Sequence, residues 1–149
     1  MILYRIADDR YANDLNGTGG LFAPGRWHHQ GMSVVYLAGS ISLAILEVLV
    51  HSPSLPQGRS LVTVSLPDKP SILDVDIATL PERWQDWPYL DELPEITAQW
   101  LREGKFWIMR VPSTPSPTEY NYLLNPRHPE HKTLALVSIE PHPFDPRLK

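Results

Sequence analysis

Hydrophobic and polar positions along this chain fall into short stretches that switch between a two-residue period and a helical one. Ile2 to Ile6 (ILYRI) sets Leu3 and Arg5 on one side and Ile2, Tyr4 and Ile6 on the other, which predicts a first strand. Asp8 to Asn13 is polar and predicts a short helical turn. Ser33 to Ala38 (SVVYLA) is β-branched and aromatic and closes on Gly39, the clearest strand signal in the chain. Ile41 to Val50 is apolar on every side except at Ser42 and Glu47, so it predicts a helix lying in the interior. Ser40 or Ser42 caps it, and Pro53 forbids its continuation.

Ser60 to Leu66 alternates and stops at Pro67, and Ile72 to Val75 predicts a third short strand. Glu92 to Arg102 has Pro94 near its start, Gly104 beyond its end and Ile96 and Trp100 four apart, which predicts a second helix. Lys105 to Val111 (KFWIMRV) reads as a central strand and Thr133 to Glu140 as the last one. The stretch between them, PSTPSPTEYNYLLNPRHPEH, holds too many prolines for regular structure and is expected to be loop. Many short strands with two good helices, without repeats or a linker, give an α+β class. One compact domain over residues 1–149 is expected, with mixed or antiparallel short-strand sheets.

Composition narrows the function more than the fold. A net charge of −4 gives no basic footprint for a nucleic-acid backbone, so direct DNA or RNA binding is not expected. There are no cysteines, which removes disulfides and thiolate metal sites. No signal-peptide pattern opens the chain and no stretch reaches the roughly 18 apolar residues of a membrane span, so a cytoplasmic protein away from the membrane is expected. Six histidines invite a metal reading, but His128 and His131 sit in the proline-rich stretch and His28 and His29 are adjacent, so no metal is expected.

Glu47 is the residue that asks for an explanation. A carboxylate carried into or beside a core costs several kcal/mol if left unpaired, about the scale on which Leu or Met is preferred there. Upstream, four glycines between Gly17 and Gly25 predict a loop allowing close backbone approach, and Arg26 follows directly. Arg26 offers a bidentate cation for phosphate, Tyr36 an aromatic face for a planar heterocycle, and Glu47 an anion for a ribose hydroxyl or an oxocarbenium-like centre. Together they suit a nucleotide whose glycosidic bond is broken. The bland reading is a structural Arg–Glu ion pair with Tyr packing nearby. The acidic, aromatic stretch Pro81 to Pro94, with Trp84, Trp87 and Tyr89, reads first as a packing flap.

The succession YRI, GRW, VVYLAGSISLAILEVLVH, VPS, NYLLNP and FDPRL resembles the RES-domain family, bacterial toxins of toxin–antitoxin pairs. The match spans almost the whole chain in order and spacing. It implies an ADP-ribosyltransferase-like fold and cleavage of the nicotinamide–ribose bond of NAD by hydrolysis or phosphorolysis. On that pattern the functional residues are Arg26, Tyr36, Glu47 and Ser113, with Ser116 the lesser alternative for the serine and Asn125 a further ligand-binding position. NAD is implied as substrate, with no other cofactor. The implied partner is an antitoxin with a helix-turn-helix domain of the Xre type, in a complex that leaves room for a homodimer. His28 stands where the family more often has Asn, and Pro24 where Gly is usual. Transfer of ADP-ribose to a protein, or an inactive antitoxin-binding module, are the competing readings.

Overall fold

In the computed structural model, which describes residues 1–149, β1 (Ile2–Asp8), β2 (Val35–Ala38), β3 (Arg59–Ser65), β4 (Ile72–Asp74), β5 (Ile108–Pro112), β6 (Tyr120–Leu124) and β7 (Ala135–Pro141) form one sheet. Its order is β4-β5-β6-β2-β1-β3-β7. Only β4 and β5 run parallel; every other neighbouring pair is antiparallel. Three α-helical segments accompany it: α1 (Gly19–Phe22), α2 (Ile41–Val50) and α3 (Glu92–Glu103). No helix is long and apolar enough to cross a membrane.

Register decides which residues share a face. Tyr4, Ala38, Asn121 and Val111 stand opposite one another across β1, β2, β6 and β5, and Tyr36, Leu123 and Met109 form the next row. Side chains alternate with a period of two, so both rows point the same way. On that face Leu43, Ala44 and Leu49 of α2 pack with Ile6 and Ala38. Leu93 and Trp100 of α3 pack with Met109, Val111 and Leu123 on the same side. The two helices thus cover one face in two patches, and a cleft opens beside α2, between it and the segment that leads into α3. The reverse face carries Leu3, Val35, Leu37, Val62, Val64, Ile108 and Leu124 beneath Ala12, Trp107 and Leu134.

The proline-rich stretch does not stay irregular. Tyr120 to Leu124 (YNYLL) forms β6 between β2 and β5, in the middle of the sheet. Its prolines flank the strand and do not interrupt it, and its five residues supply every amide hydrogen that a central strand needs. The helix α2 also departs from its expected burial. Leu43, Ala44 and Leu49 are buried, but Ile41 is 39% and Val50 53% exposed, so one face lies on the sheet and the other is uncovered. Its N-cap is Ser40, whose hydroxyl accepts from Leu43 N at 3.1 Å, a bond worth about 1 kcal/mol.

Candidate active site

The cleft beside α2 has a volume of about 1010 Å³, at the upper end of ordinary ligand sites. Ala44, Glu47 and Val48 line it from α2 and His51 from its C-cap, and their spacing of three and four places them on one helical stripe. Tyr4, Tyr36, Ala38 and Asn121 come from the sheet, and Arg26 and His28 from the loop before β2. Trp87 and Tyr89 arrive from the segment before α3. Along these walls the charged side chains are Arg5, Arg26, Arg59 and Glu47, an excess of cations in a chain whose net charge is −4. Arg5 spends its Nη2 on the carbonyls of Tyr11, Ala12 and Asp14. Arg59 reaches Asp8 at 3.6 Å and leaves its Nε unpartnered.

Glu47 and Arg26 do not form an ion pair; each has other partners. Ser113 Oγ donates to Glu47 Oε1 at 2.7 Å and Asn121 Nδ2 donates to the same oxygen at 2.6 Å. Neither bond uses Oε2, so one carboxylate oxygen is held and the other is free to meet a ligand. Arg26 Nη1 donates to the carbonyls of Trp84 and Asp86 at 2.7 and 2.9 Å, and its carbon lies 5.2 Å from the centre of the Tyr89 ring. Its Nε and Nη2 make no bond within the protein. Those two nitrogens form the side-on fork that matches two phosphate oxygens. Burial pulls the Arg26 pKa down, with Tyr89, Glu47 and Asp86 opposing, but a guanidinium stays charged.

Tyr36 lies against His28. Its hydroxyl is 2.6 Å from His28 Nδ1, and His28 Nε2 is 2.9 Å from the Ala23 carbonyl. Burial pushes the Tyr36 hydroxyl far above the ordinary phenol range and pushes His28 below its usual value, so both are neutral at pH 7. Gly25 is required here: a Cβ on it would lie 2.8 Å from His28 Cε1 and 2.9 Å from Nδ1. At Gly20 a Cβ would run into the Met32 carbonyl oxygen. The close approaches predicted for the glycine loop are therefore made to the protein's own backbone and to His28, and Gly19 to Phe22 turn as α1 within it.

Of the residues singled out in the sequence, Arg26, Tyr36 and Glu47 meet in the cleft. Ser113 supports them from behind: it is wholly buried and its hydroxyl goes to Glu47, not to the cleft surface. Ser116 bonds Glu119 at 2.7 Å instead. Asn125 is not brought to the cleft. It follows β6, four residues and about 13 Å of strand beyond Asn121, and its Oδ1 accepts from Arg127 N in a turn. Asn121, the other asparagine of NYLLNP, occupies the cleft; with the strand around it unrecognised, nothing in the sequence told the two apart. Trp87, 69% exposed, and Tyr89 were read as packing, whereas Trp84 alone is the buried member, 6.4 Å from Trp27. His131 accepts from Trp107 Nε1 and contacts the Leu15 carbonyl, and His29 contacts Glu95.

Comparison with known proteins places the chain in a family. The RES domain family model matches residues 2–145. The chain is 40% identical to "Toxin Res" of Yersinia enterocolitica, with all of both chains covered. It is 35% identical to the "Prs ADP-ribosylating toxin" of a Sphingobium species, covering 97% of this chain and 94% of that one. The fold is similar to a chain in the crystal structure of the M. tuberculosis MbcT–MbcA toxin–antitoxin complex. The TM-score there is 0.74 at 16% identity, over 99% of this chain and 85% of the other. Matched over residues 2–145 by the family model and over its whole length by a relative at 40% identity, the chain belongs to the RES-domain family of toxins.

Proposed function

We propose that this toxin breaks the nicotinamide–ribose bond of NAD and is held inactive by an antitoxin of the helix-turn-helix type. One observation carries the reading: Glu47 Oε1 is pinned by Ser113 and Asn121 while Oε2 is left free in the cleft. A carboxylate fixed in that way costs no reorganisation when positive charge develops on a ribose ring. Arg26 then holds the pyrophosphate or the adjacent ribose with its unused fork and orients the dinucleotide. Tyr36, Trp87 and Tyr89 offer aromatic surface for the nicotinamide. As the C1–nitrogen bond breaks, its electron pair leaves with nicotinamide, and Glu47 stabilises the oxocarbenium-like ribose. Water then gives ADP-ribose and a proton, or phosphate gives ADP-ribose-1-phosphate.

A second reading, transfer of the ADP-ribose to a protein side chain, is favoured by the name of the Sphingobium relative. Product analysis separates the two. Purified toxin freed of antitoxin is given NAD with and without phosphate, and the products are weighed by mass spectrometry. Free ADP-ribose or its 1-phosphate supports NAD degradation; ADP-ribose mass on a protein, with little free product, supports transfer. No loss of NAD from folded toxin in either case would overturn the enzymatic reading and leave an antitoxin-binding module.

A further inference from the structure

The hydrogen bonds around Tyr36 have a direction, and the direction sets what the cleft can recognise. The Ala23 carbonyl only accepts, so the proton of the neutral His28 ring must sit on Nε2, 2.9 Å away. Nδ1 is then a lone pair, and the Tyr36 hydroxyl 2.6 Å from it has to be the donor. The opposite tautomer would set an Nε2 lone pair against the carbonyl oxygen, two acceptors at hydrogen-bond distance, in a residue only 7% exposed. A charged ring would satisfy the Ala23 carbonyl but would take the Tyr36 proton's acceptor away, and burial opposes it. The phenol proton is therefore committed inside the protein. The backbone N–H of Trp27 also leans on the Tyr36 oxygen, and what that oxygen has left for a ligand is acceptor capacity.

We infer that His28 is a specificity-determining residue: through it Tyr36 offers the cleft a hydrogen-bond acceptor only, so the ligand group seated there is an N–H or O–H donor. A primary carboxamide or a sugar hydroxyl satisfies that requirement. A carboxylate or phosphate oxygen does not, since it would face a lone pair in a partly dry pocket. This inference rests on the dinucleotide reading above and sharpens it. The preferred dinucleotide carries the carboxamide of nicotinamide, and the same molecule with a carboxylate in its place is rejected. Gly25 is part of the device, because any side chain there would press on the His28 ring.

Nitrogen-15 NMR of histidine-labelled toxin at pH 7.5 tests the polarity without turnover. The expected signature is a neutral His28 protonated on Nε2; an Nδ1–H tautomer or a charged ring overturns the inference. Steady-state kinetics with NAD and with its nicotinic acid analogue then test the consequence. The carboxamide form should be favoured by about tenfold or more in kcat/KM, chiefly through KM, an effect of the size of one unsatisfied polar contact. Tyr36→Phe, which keeps the ring, and His28→Phe, which frees the phenol proton, should each bring the two substrates to within about threefold of each other. Equal use of both by the unaltered toxin would overturn the specificity claim. If neither dinucleotide is consumed, the NAD reading fails, and the polarity is still decided by the NMR tautomer and by whether nicotinamide, but not nicotinate, shifts the His28 resonances.

Discussion

Asn121 Nδ2 sits 2.6 Å from Glu47 Oε1, joining β6 to α2 across 74 positions of sequence. The contact fixes the carboxylate from the sheet side while Ser113 fixes it from behind. Asn121→Ala should leave the fold within about 1.5–3 kcal/mol, the worth of a hydrogen bond to a charged group. Turnover of NAD should fall by roughly 10–10²-fold, because a loosened carboxylate no longer meets the ribose in one geometry. Parallel measurement of kcat, KM and urea midpoint checks this; a loss confined to KM would mean that Asn121 binds ligand and does not position Glu47.

Arg26 has a double task, since Nη1 ties down the Trp84 and Asp86 carbonyls while Nε and Nη2 stay unpaired in a residue that lines the cleft. Arg26→Ala should raise KM for NAD by about tenfold or more, in line with the loss of a charge-assisted pair. Arg26→Lys should recover little of it, because an ammonium has no planar fork to serve both sides. A normal KM in Arg26→Ala would make the arginine purely structural, and one in Arg26→Lys would mean that charge alone, not the fork, holds the ligand.

Stability should depend on pH in a window set by the buried histidines. Burial lowers the pKa of His28 and of His131 from the ordinary 6.5. The unfolded chain therefore binds more protons than the native one just below pH 6.5. Stability is fully present above that value and is lost as the pH falls through the folded-state pKa values. Urea midpoints from pH 8 to 5 should show the decline, and His131→Gln should flatten part of it. A midpoint rising toward pH 5 would contradict the assignment.

Gly25→Ala should act through His28. Its Cβ would come within 2.8 Å of the imidazole, so the ring must move off Tyr36 or the loop must shift. A destabilisation of about 1–3 kcal/mol is expected, of the size seen when a tight site is overfilled. Thermal unfolding measures the cost, and an unchanged midpoint would mean the loop yields freely.

The local signals in the sequence were enough for β1, β2, β3, α2 and α3, where alternation, a Ser cap and flanking Pro or Gly act within a few residues of one another. They failed at β6, because five strand-forming residues were outweighed by the prolines on either side, although those prolines lie outside the paired segment. That single omission concealed Asn121 and directed attention to Asn125. The exposure of Ile41 and Val50 was hidden for a different reason. Composition says that a helix is apolar all round, but only the sheet decides which side it covers. Glu47 was visible as a charge in an otherwise apolar helix, and Arg26 and Tyr36 through the glycine loop and strand that carry them and through the family resemblance. Their mutual arrangement, with two separate sets of partners in place of one ion pair, required the fold.

The most direct test compares wild-type toxin with Glu47→Gln in phosphate-free and phosphate buffer, following nicotinamide release from NAD. Wild type should release nicotinamide with an equal amount of ADP-ribose or ADP-ribose-1-phosphate. The variant keeps the size of the side chain and removes its charge, so its rate should fall by roughly 10²–10³-fold with the melting midpoint little changed. Nicotinamide release at the wild-type rate from Glu47→Gln would contradict the account, because the free oxygen in the cleft would then have no part in breaking the bond.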